Sequence, residues 1–265
     1  MFASFRIALG TVGVLLMAGS ALAQFPPVTD PGRDEQRCQK GTSKALAKLV
    51  GANGKCVARC IGPKRSTMGP YAGCFAPEFF DPAAHICTSG AEAQAQAGIV
   101  KACARDCPEC YQGISPTLCS MGDLSLVEPQ VLVNVIYCTE ALGGTPTAAE
   151  ARCEDTVNKA LAKLVAAKTR CYGRCTDNLW QGKLAPGSCD PPLPADAVTA
   201  ACIFDAANGA EAKAAAAIDR VCAGAAKPAC YSAIVGGGWV ALAEAYTDYV
   251  IQLAVCGSPD GAFLD

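Results

Sequence analysis

The sequence predicts an all-α protein made of two tandem homologous domains, each an antiparallel helical hairpin plus a third helix, stapled by disulfide bonds. The first observation behind this is a repeat: Arg37–Cys60 returns as Arg152–Cys175, with thirteen of 24 positions identical and the heptapeptide KALAKLV in both copies. The second is a stripe of apolar and cysteine residues at steps of three and four, the period of one helical face. The third is a total of eighteen cysteines.

Three helices are predicted in each unit. The repeated stretch forms the first, and an alanine-rich segment ending at Cys103 or Cys222 forms the second. The third covers 127–138 in one unit and 239–256 in the other, and the two Pro- and Gly-rich loops after the first helices share almost no sequence. The resulting boundaries are 37–138 for helical Cys-rich unit 1, 139–151 for a linker, 152–256 for helical Cys-rich unit 2 and 257–265 for a tail.

The first 23 residues have the pattern of a secretory signal peptide. Arg6 precedes an apolar run from Ile7 to Ala18, and Ala21-Leu22-Ala23 resembles a cleavage site. Because this run is short for a bilayer span, cleavage after Ala23 is expected, followed by a flexible leader over 24–36. The sequence therefore predicts a periplasmic or extracellular protein with no membrane span in its mature form.

Composition excludes some partners and explains the cysteines. The formal net charge is −2 and only 17% of residues are charged, so the overall charge gives no reason to expect nucleic acid or an anionic membrane as partner. Much of the 51% hydrophobic content is alanine, which buries little apolar area. Disulfides, which form and persist in exported proteins, are the expected supplement to such a core.

The disulfide pattern follows from the repeat and from helix geometry. Each unit has eight equivalent cysteines and is expected to close its own bridges, while Cys107 and Cys119 have no counterpart in unit 2 and are expected to pair with each other. Antiparallel partners have a nearly constant sum of residue numbers, which fixes two bridges per unit, and the others follow by elimination. The predicted pairs are Cys38–Cys103, Cys56–Cys87, Cys60–Cys74, Cys107–Cys119, Cys110–Cys138, Cys153–Cys222, Cys171–Cys202, Cys175–Cys189 and Cys230–Cys256.

The cysteine spacing also permits two uses other than structural disulfides. Pairs such as Cys56 and Cys60 have the i, i+4 spacing that could hold Cu(I) between thiolates, so a Cu(I)-thiolate store is an alternative. Cys107 and Cys110 form a single CxxC, whose structural role is favoured over a redox or zinc role. No cofactor, metal site or catalytic residue is predicted, because the only histidine, His85, lies in a Pro-rich loop without an identifiable nucleophile.

Aromatic residues in the unshared loops are the candidate binding residues, since a rigid scaffold presents its recognition residues on loops. The competing interpretation is that these rings cap the alanine-lined core. The residues concerned are Tyr71, Phe75, Phe79, Phe80 and Trp180.

The KALAKLV helices and the spaced single cysteines resemble those of uncharacterised exported bacterial proteins rich in alanine, lysine and cysteine, and the resemblance implies no activity. No acid, base, nucleophile or phosphate-binding motif stands out, so no enzyme is expected. The sequence predicts an exported, non-enzymatic binding or structural protein of unknown partner. The alternatives are a carrier of a small apolar ligand such as a lipid, with its cavity under the aromatic loop, and the Cu(I)-thiolate store.

Overall fold

A computed structural model describes residues 32–67, 69, 71–75, 81–108, 111, 117–122, 129–185, 187–189, 193–233, 238–241, 247–248, 251 and 254. The predicted signal peptide, the tail, Phe79, Phe80, Cys110 and Cys256 lie outside these residues. Within the described part of the chain every regular element is helical, and no helix there is long and apolar enough to cross a membrane. The α-helices are α1 (Arg33–Ser66), α2 (Pro82–Cys103), α3 (Leu118–Met121), α4 (Pro129–Ile136), α5 (Cys138–Ala141), α6 (Ala148–Trp180), α7 (Ala197–Phe204) and α8 (Ala210–Val221).

The first hairpin pairs α1 with α2. Disulfides Cys38–Cys103 and Cys56–Cys87 join the two helices near their ends, as the antiparallel arrangement requires. The second helix begins earlier than the alanine-rich segment that predicted it. The reason is a local N-cap: the Asp81 carboxylate accepts from the backbone N–H of Ala83 and of Ala84, and Pro82 occupies the first helical position, where its missing N–H costs nothing.

The second hairpin repeats this arrangement with one change. Helix α6 takes the place of α1, but the helix opposite it is divided into α7 and α8. The division falls between Cys202 and Cys222, a spacing four residues longer than that from Cys87 to Cys103 in unit 1. There the Asp205 carboxylate accepts from the backbone N–H of Ala207 and of Asn208, which turns the chain away from helix. The inserted residues therefore break one helix into two.

Helices α1 and α6 pack against each other in antiparallel orientation. The two helices approach closely at Gly54, whose carbonyl accepts from Asn158 Nδ2 at 3.0 Å. A Cβ atom at Gly54 would lie only 2.2 Å from Asn158 Oδ1. The glycine that weakens the first copy of the helix as an isolated element is thus what lets the second copy approach it.

The two units share their cores. Val133, Ile136 and Tyr137 of unit 1 lie in the same buried cluster as Val157 and Leu161 of unit 2. In the opposite direction, Ala254 of unit 2 lies in the cluster formed by α1 and α2 of unit 1. Each unit's third segment therefore contacts the helical hairpin of the other unit as well as its own.

Two equivalent hydrogen bonds mark these reciprocal contacts between the units. The Tyr231 hydroxyl donates to the carbonyl of Ile136 at 2.6 Å, and the Tyr111 hydroxyl donates to the carbonyl of Ala254. Each tyrosine follows one of two equivalent cysteines, and each acceptor stands two residues before one of another equivalent pair. The two contacts are thus related by the internal repeat.

Disulfide connectivity follows the predicted hairpins but not the predicted separation of the units. The bond Cys138–Cys230 joins unit 1 to unit 2, so the pairings Cys110–Cys138 and Cys230–Cys256 are wrong, as is the expectation that each unit closes its own bridges. The cause is the shared core, in which the short helix that begins at Cys138 lies beside the segment that carries Cys230. The structure also forms the predicted pairs Cys38–Cys103, Cys56–Cys87, Cys60–Cys74, Cys107–Cys119, Cys153–Cys222, Cys171–Cys202 and Cys175–Cys189.

The predicted linker over 139–151 is shorter in the structure, because helix occupies both of its ends. Helix α5 continues to Ala141, and α6 begins at Ala148. A capping box starts α6: Thr147 Oγ1 accepts from the backbone N–H of Glu150, and the Glu150 carboxylate accepts from the backbone N–H of Thr147. Six residues, 142–147, connect the two helices.

We expect peptide mapping of the non-reduced protein to find one bridge between Cys138 and Cys230 and a second between Cys110 and Cys256. The second follows from the repeat: Tyr111, next to Cys110, contacts Ala254, in the same relation that Tyr231, next to Cys230, has to Ile136. Protease fragments linking Cys110 to Cys138 would contradict these bridges between the units, since both cysteines belong to unit 1.

Candidate functional site

A groove of about 960 Å³ runs between α1 and α6, on one side of their contact. We call it the basic groove. Its floor is made of small side chains from both helices, namely Ala47, Gly51, Ala52, Ala162 and Ala166. The volume lies within the range typical of small-molecule sites, and the apolar floor is also typical of them.

The groove has a strongly cationic lining. One carboxylate, Asp177, lies among the described residues that line it, and its Oδ1 is 2.5 Å from Lys40 Nζ. The basic side chains greatly outnumber it, although the chain as a whole carries a net charge of −2. They are Lys40, Lys44, Lys48 and Lys55 from α1 and Lys159, Lys163, Arg170 and Arg174 from α6.

The repeated heptapeptide KALAKLV builds the centre of this lining. In each copy its leucines and valine are buried, and the two lysines, four residues apart, lie on the opposite, exposed face of the helix. Because α1 and α6 are antiparallel, Lys44 and Lys48 face the groove from one wall and their equivalents, Lys159 and Lys163, from the other. A side-chain pattern that looks like an ordinary solvated face in one helix becomes a cationic groove when the two copies pack.

One end of the groove differs from the rest. Trp180 lies there, half-buried, with Lys40 Nζ 5.8 Å from the centre of its ring. Gln39 lines the same end and is only 3% exposed, yet its Oε1 has no hydrogen-bond partner in the structure. A buried amide oxygen without a partner is unfavourable, and this one has almost no surface open to the groove.

The structure separates the predicted binding residues. Tyr71 and Phe75 are buried in the shared core, 3% and 6% exposed, so these two rings cap the core instead of facing a ligand. Phe79 and Phe80 lie outside the described residues. Of the three described members of the set, Trp180 is the one that lines the groove. His85 is exposed on α2 and is not among the lining residues.

Every cysteine that the structure describes is part of a disulfide bond. These sixteen cysteines form eight disulfides, so none of them offers a thiolate. Two groups place three potential ligand atoms close together, but one consists of bridged sulfurs and the other of the Cys138–Cys230 bridge with Glu154. A Cu(I)-thiolate store has no ligands in this part of the chain, since it needs reduced cysteines.

A buried charge cluster ties the end of α1 to the start of α6. The Arg65 guanidinium donates to Glu140 Oε1 at 2.8 Å, to Glu154 Oε2 at 3.2 Å and to Asp155 Oδ1 at 3.2 Å. The side chains of Glu140 and Glu154 are fully buried. Burial, together with the neighbouring Glu140 carboxyl group, raises the pKa of Glu154 to about 8. This cluster stabilises the contact between the units and is not part of the groove.

The groove was missed at the sequence level, although one signal pointed to it. The folding of KALAKLV requires its buried face, but nothing in helix packing requires lysine on the opposite face in both copies. Shared exposed lysines in a repeat were therefore a sign of a common surface. The net charge of the chain concealed it, because acidic residues lie elsewhere.

Comparison with protein-family models finds no match to this chain, and comparisons with curated proteins and with solved structures find none either.

Proposed function

We propose that this chain is an exported, non-enzymatic binding protein whose ligand site is the basic groove and whose ligand is anionic. The observation that supports the site most directly is the gathering of eight basic side chains over an apolar floor in a protein of net negative charge. The eight disulfides among the described residues fit an extracellular or other oxidising compartment.

The binding role follows from electrostatics and rigidity. Cations on both walls of a groove raise the local concentration of anions and favour their binding, and the apolar floor lowers the dielectric in which they act. Disulfides Cys38–Cys103 and Cys171–Cys202 hold the outer sides of α1 and α6, so the groove is formed before a ligand arrives. A preformed site avoids part of the entropy cost of binding.

The test uses 1-anilinonaphthalene-8-sulfonate, an anionic aromatic probe whose fluorescence increases in apolar sites. We expect Lys48→Glu/Lys163→Glu to weaken binding of this probe about tenfold or more, since reversing two charges near a bound anion costs on the order of 1 to 2 kcal/mol. Both lysines are exposed, so the fold is expected to be unchanged by circular dichroism.

The matched control is Lys101→Glu/Lys213→Glu. These two lysines are exposed on α2 and α8, outside the groove, and their reversal changes the net charge by the same amount. Probe affinity is expected to stay within about twofold of the unsubstituted protein, because distant exposed charges are screened by salt. Equal weakening by both double variants would mean that the probe responds to net charge alone, and the proposal would fail.

A further inference from the structure

We infer that the ligand of the basic groove is a single-chain amphiphile with an anionic headgroup, bound as a free molecule. The inference rests on the proposed function and names the ligand class of the same site. Its starting point is the contrast between the floor and the walls of the groove. The alanines of the floor are half-buried, while the lysines on both sides of them are exposed.

The floor favours an alkyl chain over a hydrophilic polyanion. Ala47, Ala162 and Ala166 carry no side-chain hydrogen-bond donor or acceptor, so hydroxyl or base edges laid on them would lose hydrogen bonds to water without replacement. A single-stranded nucleic acid would need aromatic rings at intervals along its path, whereas Trp180 stands at one end and the other lining aromatic, Tyr172, is only 2% exposed. An alkyl chain needs neither hydrogen-bond partners on the floor nor aromatic rings along its path.

The walls suit an amphiphile for the same reason that lysine suits a membrane interface. A lysine side chain can lay its methylene stem along an apolar surface while its ammonium group stays in water. The cations from Lys40 to Lys55 extend over fifteen residues of α1, about 22 Å of helix, enough for an extended acyl chain of common length. The stems then cover the sides of the alkyl chain, and the ammonium groups nearest the headgroup face it.

The experiment measures displacement of 1-anilinonaphthalene-8-sulfonate by four competitors below their critical micelle concentrations. Laurate has the chain and the charge, butyrate the charge without the chain, dodecyl maltoside the chain without the charge, and polyphosphate many charges without a chain. We expect laurate to displace the probe at one molecule per protein, at least tenfold more tightly than butyrate or dodecyl maltoside. Polyphosphate is expected not to displace it.

A substitution in the floor of the groove tests whether the alkyl chain of the ligand lies there. Ala166→Asp places a carboxylate under the bound chain and is expected to weaken laurate at least tenfold, whereas Ala216→Asp, exposed on α8, changes the charge equally and is expected to leave affinity unchanged. Laurate that binds no better than butyrate, or polyphosphate that displaces the probe, would overturn the amphiphile inference while the groove remained an anion site. Probe binding that ignores Lys48→Glu/Lys163→Glu would instead overturn the proposed function itself.

Discussion

Replacing Arg65 by methionine is expected to lower the free energy of unfolding by about 3 to 5 kcal/mol at pH 7, the usual cost of removing one partner from a buried ion pair. The guanidinium contacts three carboxyl groups, and two of these, Glu140 and Glu154, have fully buried side chains. Without it, these buried oxygens lose their charged hydrogen-bond donor in a site that water does not reach. Methionine keeps much of the side-chain volume, so the loss reports charge and hydrogen bonding more than packing.

The control is Arg59→Met, on the same helix but exposed. Its effect on the free energy of unfolding is expected to stay within about 0.5 kcal/mol, as for most surface substitutions. Both are measured by guanidinium denaturation with the disulfides intact, followed by far-UV circular dichroism. Arg65→Lys is expected to lie between them, because an ammonium keeps the charge but cannot reproduce the three-way guanidinium contact. Similar values for Arg59→Met and Arg65→Met would show that the cluster does not stabilise the fold.

The helices and the bridges within each hairpin could be predicted because they depend on local periodicity. The stripe that begins at Cys38 and reaches Cys56 determines which face of α1 meets α2, and antiparallel geometry then determines the partner of each cysteine. The start of α2 and the break in its counterpart were harder to foresee, because each depends on a single side chain. Asp81 starts a helix and Asp205 ends one, each by accepting two backbone N–H groups.

The contacts of the third segments with the opposite hairpins could not be predicted, and the repeat itself is the reason. Two homologous hairpins present equivalent surfaces, so periodicity does not say that Val133 and Ile136 share a core with both of them. The same ambiguity applies to Cys138, for which Cys110 and Cys230 are equivalent partners by position. Only the path of the chain through α5 and the short connection to α6 decides it.

The groove escaped prediction for a related reason. Lys44 and Lys48 belong to one repeat and Lys159 and Lys163 to the other, and each pair is an ordinary exposed face until α1 packs against α6. That packing depends on Gly54, which sequence analysis could count only as a weak point in a helix. A site formed between repeats is therefore invisible in either repeat alone.

The raised pKa of Glu154 predicts that this residue makes the folded protein less stable as pH rises. Its carboxyl group has a pKa of about 8 in the folded state, against an ordinary value of 4.5 in the unfolded chain. Between these values the folded state keeps a proton that the unfolded state releases, so the stabilising contribution is complete below pH 4.5 and is lost as pH rises through 8. The expected slope within this window is about 1.4 kcal/mol per pH unit, the value for one proton.

Glu154→Gln isolates this contribution, because glutamine resembles the protonated carboxyl group and does not titrate. We expect the difference in unfolding free energy between Glu154→Gln and the unsubstituted protein to grow in favour of the variant from pH 5 to pH 8. Asp219→Asn, at an exposed position on α8, is the matched amide substitution and is expected to give a constant difference over the same range. A constant difference for Glu154→Gln as well would mean that Glu154 is ionised throughout, with Arg65 compensating its burial, and that the junction between the units does not respond to pH.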